Sequence, residues 1–251
     1  MKTIIVIPTY NEAENLPRMA NALFDLPLPD LEVLVVDDNS PDGTGKLADQ
    51  LGDRNPGRLH VIHRRGKKGL GTAYITGFQW ALTEGAQRVV QMDADFSHNP
   101  QKVPELLEEL QEADLAVGSR YIPGGKLDEN WPIWRRALSN FGNIYARTIL
   151  RVEAEDLTGG FRAWRRETLA GLPLERVKSE GYAFQVEMIY LAHLLGYRIK
   201  EVPIYFEDRQ EGDSKMSFAI QAEAALRVWQ IWLENRDLRG RTRTNRKDKK
   251  N

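Results

Sequence analysis

The chain of 251 residues has no cysteine. That removes disulfides, thiolate metal ligands and cysteine nucleophiles together, and it fits a reducing compartment. No apolar run reaches the ~18–20 residues that a membrane-crossing helix needs. The apolar stretch after Lys2 ends at Pro8, which is too short for a secretory leader. No G-x-x-x-x-G-K-[ST] is present, and no G-x-G-x-x-G follows the first apolar segment. Both absences argue against P-loop and dinucleotide chemistry. Charge of one sign is also lacking, because the formal net charge is −1.

That balance hides an asymmetry. Residues 236–251 carry eight basic side chains against Asp237 and Asp248, a net +6 that leaves −7 for the remainder. A basic, disordered tail is expected there, either simply solvated or holding anionic lipid or nucleic acid. The acidic body disfavours nucleic acid. Residues 1–235 read as one domain, and the 41% hydrophobic content of the whole chain is ordinary for a globular protein.

Short Val/Ile/Leu runs alternate with helical patterns in the first half. Strands are expected over Thr3–Pro8, Leu31–Asp37, Leu59–His63, Arg88–Asp93 and Leu115–Ser119. Helices are expected over Glu12–Leu26, Thr44–Leu51, Thr72–Glu84 and Val103–Gln111. This order implies an α/β fold with a parallel sheet covered on both faces. Ligands then bind beyond the carboxyl ends of the strands. Later, helices are expected over Trp134–Leu150, Ser179–Leu195 and Met216–Glu234, with a strand over Arg198–Phe206.

Three polar clusters follow strands. Asp93-Ala94-Asp95 places two carboxylates where both can turn to one hard cation such as Mg2+ or Mn2+. The same residues suit a polar turn in which Asp95 caps the next helix. Asp38 can accept hydrogen bonds from a base or ribose, or belong to a plain strand–turn–helix junction with Asp42 or Thr44 as cap. Tyr10 can pack on a base and Glu12 can bond its edge, or the two can serve as core filler and helix cap. Arg120, Arg135, Arg209 and Lys215 fall in or near loops, where cations can neutralise a departing diphosphate. His60 and His63, three apart on one strand, face opposite sides and make a poor metal pair. Trp131, Trp134, Phe141, Tyr145 and Ile149, interleaved with Arg135, Arg136 and Arg147, suit a membrane interface or an ordinary core.

These pieces, in order, resemble family 2 of the glycosyltransferases, and within it the dolichol-phosphate (polyprenol-phosphate) mannose synthases. The matching stretches are 8–12, 35–44, 69–73, 92–98, 118–121 and 208–215, covering about Lys2–Lys215. The resemblance implies a GT-A fold and inverting transfer of mannose from GDP-mannose to dolichyl or polyprenyl phosphate. It implies that Pro8, Tyr10, Glu12, Val36 and Asp38 hold guanosine. Asp93, Ala94 and Asp95 would hold diphosphate and metal, with Arg120, Arg209 and Lys215 around phosphates and mannose. Arg135 and Ser139 match acceptor-phosphate ligands, and their i, i+4 spacing puts both on one helix face. Ser97 stands where some relatives carry a metal-binding Gln. The implied catalytic set is Asp95, Arg120, Arg209 and Lys215.

A lipid phosphate is already an anion, so no general base is required, and none is evident in the sequence. The implied setting is peripheral, on the cytoplasmic face of a membrane, with a membrane-anchoring subunit as a candidate partner. The residues alone do not separate guanine from uracil, so a UDP-sugar transferase to the same lipid stays open. A non-catalytic nucleotide-sugar-binding subunit is the alternative of another class. The Q-x-x-R-W signature of processive polysaccharide synthases is absent.

Overall fold

The computed structural model describes residues 1–207 and 218–243, without the side chains of 218–224 and 240–243. Arg209 and Lys215, expected at the site, lie outside the described residues, as does the tail from residue 244.

The first half alternates as its patterning implies: β1 (Thr3–Thr9), α1 (Leu16–Phe24), β2 (Leu31–Asp37), α2 (Thr44–Arg54), β3 (Leu59–His63), α3 (Leu70–Thr83), β4 (Arg88–Gln91), α4 (Val103–Glu109) and β5 (Leu115–Ser119). Helix α1 begins four residues later than expected. Asn11 takes a left-handed φ of 63°, and the Leu16 N–H closes a turn onto the Glu12 carbonyl at 2.9 Å. Pro17 then sits in the first turn, where its missing N–H costs nothing.

The second half adds β6 (Lys126–Leu127), α5 (Ile133–Leu150), β7 (Arg162–Arg165), α6 (Arg166–Gly171), α7 (Gly181–Leu194), β8 (Ile199–Pro203), β9 (Tyr205–Phe206) and α8 (Phe218–Glu234). The seven-stranded sheet has the order β3-β2-β1-β4-β7-β5-β8, and β6 pairs with β9 separately. The expected single strand over 198–206 is therefore two. Ile199–Pro203 pairs with β5, and Tyr205–Phe206 turns away to β6.

The sheet is not wholly parallel. Strand β7 runs antiparallel to both β4 and β5, pairing Arg162 with Gln91 and with Val117. Alternate residues of the central strands feed two cores. Ile4, Val6, Leu34 and Val36 pack toward α3 and α7. Ile5, Ile7, Val33 and Val35 pack toward α1, α2 and α4. Burial on both faces accounts for the unbroken apolar runs.

The expected tail boundary at residue 236 moves. Arg236–Arg243 forms a 3-10 segment docked on the domain. Leu238 is buried, Asp237 pairs with Arg176 at 2.9 Å, and the Arg239 guanidinium stacks 3.9 Å from the Trp232 ring. Local apolar contact and charge pairing outweigh the segment's basic composition.

Gly77 of α3 lies against β1, where an added Cβ would stand 2.3 Å from Val6 Cγ1. Alanine is ordinarily the better helix former. Here Gly77→Ala should instead destabilise the fold by roughly 1–3 kcal/mol, through overpacking. Urea unfolding measures this, and a variant as stable as the parent would contradict so close a packing of α3 on the sheet.

Candidate active site

The carboxyl ends of β2, β1 and β4 lie side by side, since Thr9 is in register with Asp37 and Val6 with Gln91. The loops leaving β1 and β2 are stitched together by short polar side chains. The N–H groups of Asn11, Glu12 and Ala13 donate to Ser40 Oγ (3.1 Å), Thr44 Oγ1 (2.9 Å) and Asp42 Oδ2 (3.1 Å). Asp42 in turn accepts the Thr44 N–H at 3.0 Å and the Thr44 hydroxyl at 2.6 Å. These bonds hold its carboxyl below the usual range against a burial effect that raises it. Asp37 is buried and accepts from Thr9 and Ser40, so its role is to shape the turn.

Asp38 is different. Its Oδ1 lies 2.6 Å from Arg64 Nη1, with both side chains only 7% exposed. The approach is ionic rather than a directed hydrogen bond. Oδ2 accepts the N–H groups of Lys68 (3.2 Å) and Gly69 (3.3 Å). A ligand that reaches Asp38 must share it with the 64–69 loop. Lys67 of that loop lies 3.8 Å over the Tyr10 ring. Pro8 and Tyr10 are partly exposed at the strand end, whereas the Val36 side chain is wholly in the core, so only its backbone faces the loops.

Past β4, Asp93 is 29% exposed and Asp95 is 5%, with the buried Ala94 between them. The Tyr74 phenol donates to Asp93 Oδ1 at 2.9 Å. Burial, reinforced by the charge of Asp93, pushes the Tyr74 pKa up and keeps it a donor. Asp95 Oδ1 accepts from the Ser97 N–H (3.1 Å) and hydroxyl (2.6 Å). This tight turn forces Phe96 to φ 61°, a conformation unfavourable for a bulky side chain. His98 accepts the Asp93 N–H on Nδ1 at 3.1 Å, and burial lowers its pKa despite the opposing charges of Asp93 and Asp95. It is thus a neutral wall of the site.

Among the described residues no third carboxylate, histidine or cysteine joins Asp93 and Asp95 to complete a metal cage. Two carboxylates at a rim nevertheless fit Mg2+ or Mn2+, which take oxygen ligands and keep positions for water and phosphate.

Arg120 follows β5 and is buried. It donates to Asp156 through Nε and Nη2, both at 2.7 Å, and to Thr158 Oγ1 at 2.7 Å. Burial alone would raise the Asp156 pKa, but the Arg120 charge and hydrogen bonds hold it below the usual range. Arg120 is raised correspondingly, against its own desolvation. The Phe206 ring joins the parts, lying 5.2 Å from the Arg120 guanidinium, 5.6 Å from the His98 ring and 5.8 Å from the Trp131 ring. Arg135 stacks 3.6 Å from the other reach of Trp131. One turn along α5, Ser139 Oγ accepts the Tyr121 hydroxyl at 2.7 Å.

The acid pair, Arg120 and the Arg135–Ser139 stripe thus border one region, linked by aromatic contacts. Sequence reasoning had no means of finding Asp156, Thr158, Arg64 or Tyr74 as partners, since each contributes through long-range pairing. The one signal, Asp156 ahead of Gly159-Gly160, reads as an ordinary turn. Of the two readings open for Trp131, membrane interface or core, its 7% exposure fits the second, and it serves as a wall, while Tyr145 and Ile149 pack partly against the core.

Residues 4–172 match the family model described as glycosyl transferase family 2. The undecaprenyl-phosphate mannosyltransferase of Micrococcus luteus is 48% identical over 91% of this chain and 93% of its own. The polyprenol monophosphomannose synthase of Mycolicibacterium smegmatis is 48% identical over 90% of this chain and 85% of its own. A mannosyltransferase from Pyrobaculum calidifontis, solved in complex with GDP-Man and Mn2+, is similar in fold. Its TM-score is 0.63 at 18% identity, covering 92% of this chain and 64% of that one.

Because the folded pKa of Asp156 lies below its unfolded value, its stabilisation is present above about pH 4 and fades as pH falls. Asp156→Asn should cost about 3–5 kcal/mol at neutral pH, by leaving Arg120 buried beside a neutral partner. The gap between parent and variant should narrow toward about pH 3 in urea titrations. A pH-independent gap would contradict the ion pair.

Proposed function

This chain belongs to glycosyl transferase family 2, and on that footing we propose that it transfers mannose from GDP-mannose to dolichyl or polyprenyl phosphate. The products are GDP and a β-mannosyl-phosphoryl lipid, the anomeric centre being inverted. Both relatives at 48% identity are named for mannosyl transfer to such a lipid phosphate. The observation that carries the reading is the commitment of the titratable groups around the acid pair. Asp156 is held by Arg120, His98 by the Asp93 N–H, and Tyr74 by Asp93. None of these is poised to take a proton, which suits an acceptor that arrives as an anion.

Pro8, Tyr10, Glu12 and Asp38 are assigned to the nucleoside, with the Val36 backbone at the strand end. Asp93 and Asp95 would hold Mg2+ or Mn2+ beside the diphosphate, with Ala94 between them. The ion supplies charge neutralisation to the leaving group. Arg120 lends its buried positive charge to the phosphates, and Arg209 and Lys215 are assigned the same task. Arg135 and Ser139 hold the acceptor phosphate. Aromatic walls at Trp131 and Phe206 exclude water, which strengthens each of these charge interactions. An attacking phosphate oxygen approaches from the α5 side, and GDP departs along the β1–β2–β4 edge.

The lipid is met at a membrane surface, peripherally and on its cytoplasmic face. No helix among the described residues is long and apolar enough to cross a membrane. Helices α5 and α8 pack together, with the Tyr145 hydroxyl donating to the Ala225 carbonyl at 3.2 Å and Trp229 Nε1 donating to Tyr145 at 3.0 Å. Ile133, Trp134, Phe141 and Ile144 on α5, and Leu226, Trp229 and Leu233 on α8, are left exposed. Trp134, 62% exposed, adjoins the acceptor residues and is suited to the lipid–water boundary.

GDP release should require polyprenyl phosphate, GDP-mannose and a divalent ion, and should stop with EDTA. Asp95→Ala should lower turnover by about tenfold or more. A donor screen in which UDP-sugars outperform GDP-mannose would overturn the donor assignment. In vesicle flotation with anionic lipid, Ile133→Glu/Trp134→Glu should stay at the bottom while the parent floats. A parent that fails to float would remove the surface-docking part.

A further inference from the structure

We propose that Asn143 is a positioning residue that couples acceptor binding on α5 to the aim of Arg120. The inference rests on the assignment of Arg135 and Ser139 to the acceptor phosphate. Asn143 continues their stripe, four residues beyond Ser139, and is 1% exposed. It touches neither of the expected substrates' charged ligands directly. Its amide is nonetheless used to capacity. Nδ2 donates to the Ser139 carbonyl and to Thr158 Oγ1, each at 3.1 Å. Oδ1 accepts the N–H groups of Leu157 (2.8 Å) and Thr158 (3.2 Å).

Both directions lead to the same cation. Thr158 Oγ1 also accepts from Arg120 Nη2 at 2.7 Å. Asp156, two residues earlier, takes Arg120 Nε, Nη2 and its backbone N–H. On the other side, Ser139 Oγ accepts from Tyr121, the residue after Arg120. The result is a closed ring through Asn143, Thr158, Arg120, Tyr121 and Ser139. Arg120 Nη1 takes no protein acceptor among the described residues, so the contacts of Nε and Nη2 set where the guanidinium points. A phosphate that draws on Ser139 pulls the ring at a point bonded to Asn143, and the displacement reaches Thr158 and Arg120 through bonds that have no slack. Linked networks of this kind show non-additive energetics.

The test is a kinetic cycle on the full chain, with GDP-mannose, Mn2+ and polyprenyl phosphate in detergent, using Asn143→Asp, Arg120→Lys and the double variant. Asn143→Asp keeps size and the Oδ1 acceptor of Leu157 and Thr158 but puts a carboxylate oxygen in place of the Nδ2 that donates to Ser139 and Thr158. It should lower kcat/KM for the acceptor by about 10- to 30-fold, while the Kd for GDP without acceptor moves less than about twofold. The double variant should lose no more than about threefold beyond Arg120→Lys alone. Thr158→Val, which removes only the hydroxyl bridge, should give the same signature and serves if Asn143→Asp does not fold. Additive losses, or equal damage to GDP binding and acceptor use, would overturn the coupling and leave Asn143 a plain loop staple. A parent chain that transfers no mannose would instead sink the functional assignment beneath it.

Discussion

The buried pair of Arg120 and Asp156 is the constraint on which the half of the site assigned to the acceptor depends. Two charges removed from water are tolerable only when their geometry is good and their remaining hydrogen-bonding capacity is filled. Asp156 meets that condition with the side chain and N–H of Arg120 and the N–H of Gly159 at 2.9 Å. The loop that carries it is fastened from a second element as well. Glu201 of β8 accepts the N–H groups of Glu155 (2.8 Å) and Asp156 (2.9 Å). Asn143 of α5 fastens Leu157 and Thr158. Strands β5 and β8 and helix α5 therefore converge on one guanidinium, and its position is over-determined.

The half assigned to the nucleoside is built differently. Its loops are held by short polar side chains, some within one turn, such as Asp42 with Thr44 and Asp37 with Ser40, and others across to the N–H groups of Asn11, Glu12 and Ala13. The salt bridge of Asp38 with Arg64, together with the N–H groups of Lys68 and Gly69 that Asp38 accepts, ties in the 64–69 loop. This side-chain-to-backbone chemistry lets two strand ends present polar groups without a large buried ion-pair network. The difference suits the two tasks. A nucleoside is gripped through hydrogen bonds and stacking, whereas a pair of phosphates demands fixed positive charge.

The same contrast explains what could be read in advance. β1, β2 and β4 are apolar-rich segments followed by turn-formers, and their ends pointed to Tyr10, Asp38 and Asp93 at one edge, whereas Arg120 was legible only as a cation in or near a loop. β7 was hidden because Arg162 and Arg165 interrupt its pattern. Arg162 is nevertheless wholly buried, donating to the carbonyls of Gln185 (2.7 Å) and Leu157 (2.8 Å). A buried charge held by backbone oxygens leaves no trace in hydropathy. Asp156 was equally silent, lying 36 residues from the arginine it neutralises. Trp131 stayed open between two readings for a related reason, since an aromatic beside arginines suits a lipid boundary and an inner wall alike. The shorter reach of α1 follows from a left-handed asparagine, which composition does not reveal.

The reversed direction of β7 has a consequence for how this protein can diversify. Because β7 lies beside β5 and runs against it, the chain leaves the sheet at Ser119 and returns to the neighbouring strand at Arg162. Everything between, including Arg135, Ser139, Asn143 and Asp156, is one excursion from a single seam in the sheet. Strands β1, β2 and β4, whose ends are assigned to the nucleoside, lie outside it, and the β6–β9 pairing, Glu201, α8 and the stacking of Phe161 on His98 are among its ties to the rest. An exchange across that seam would carry the residues assigned to the acceptor as one block and leave in place the strand ends assigned to the sugar nucleotide.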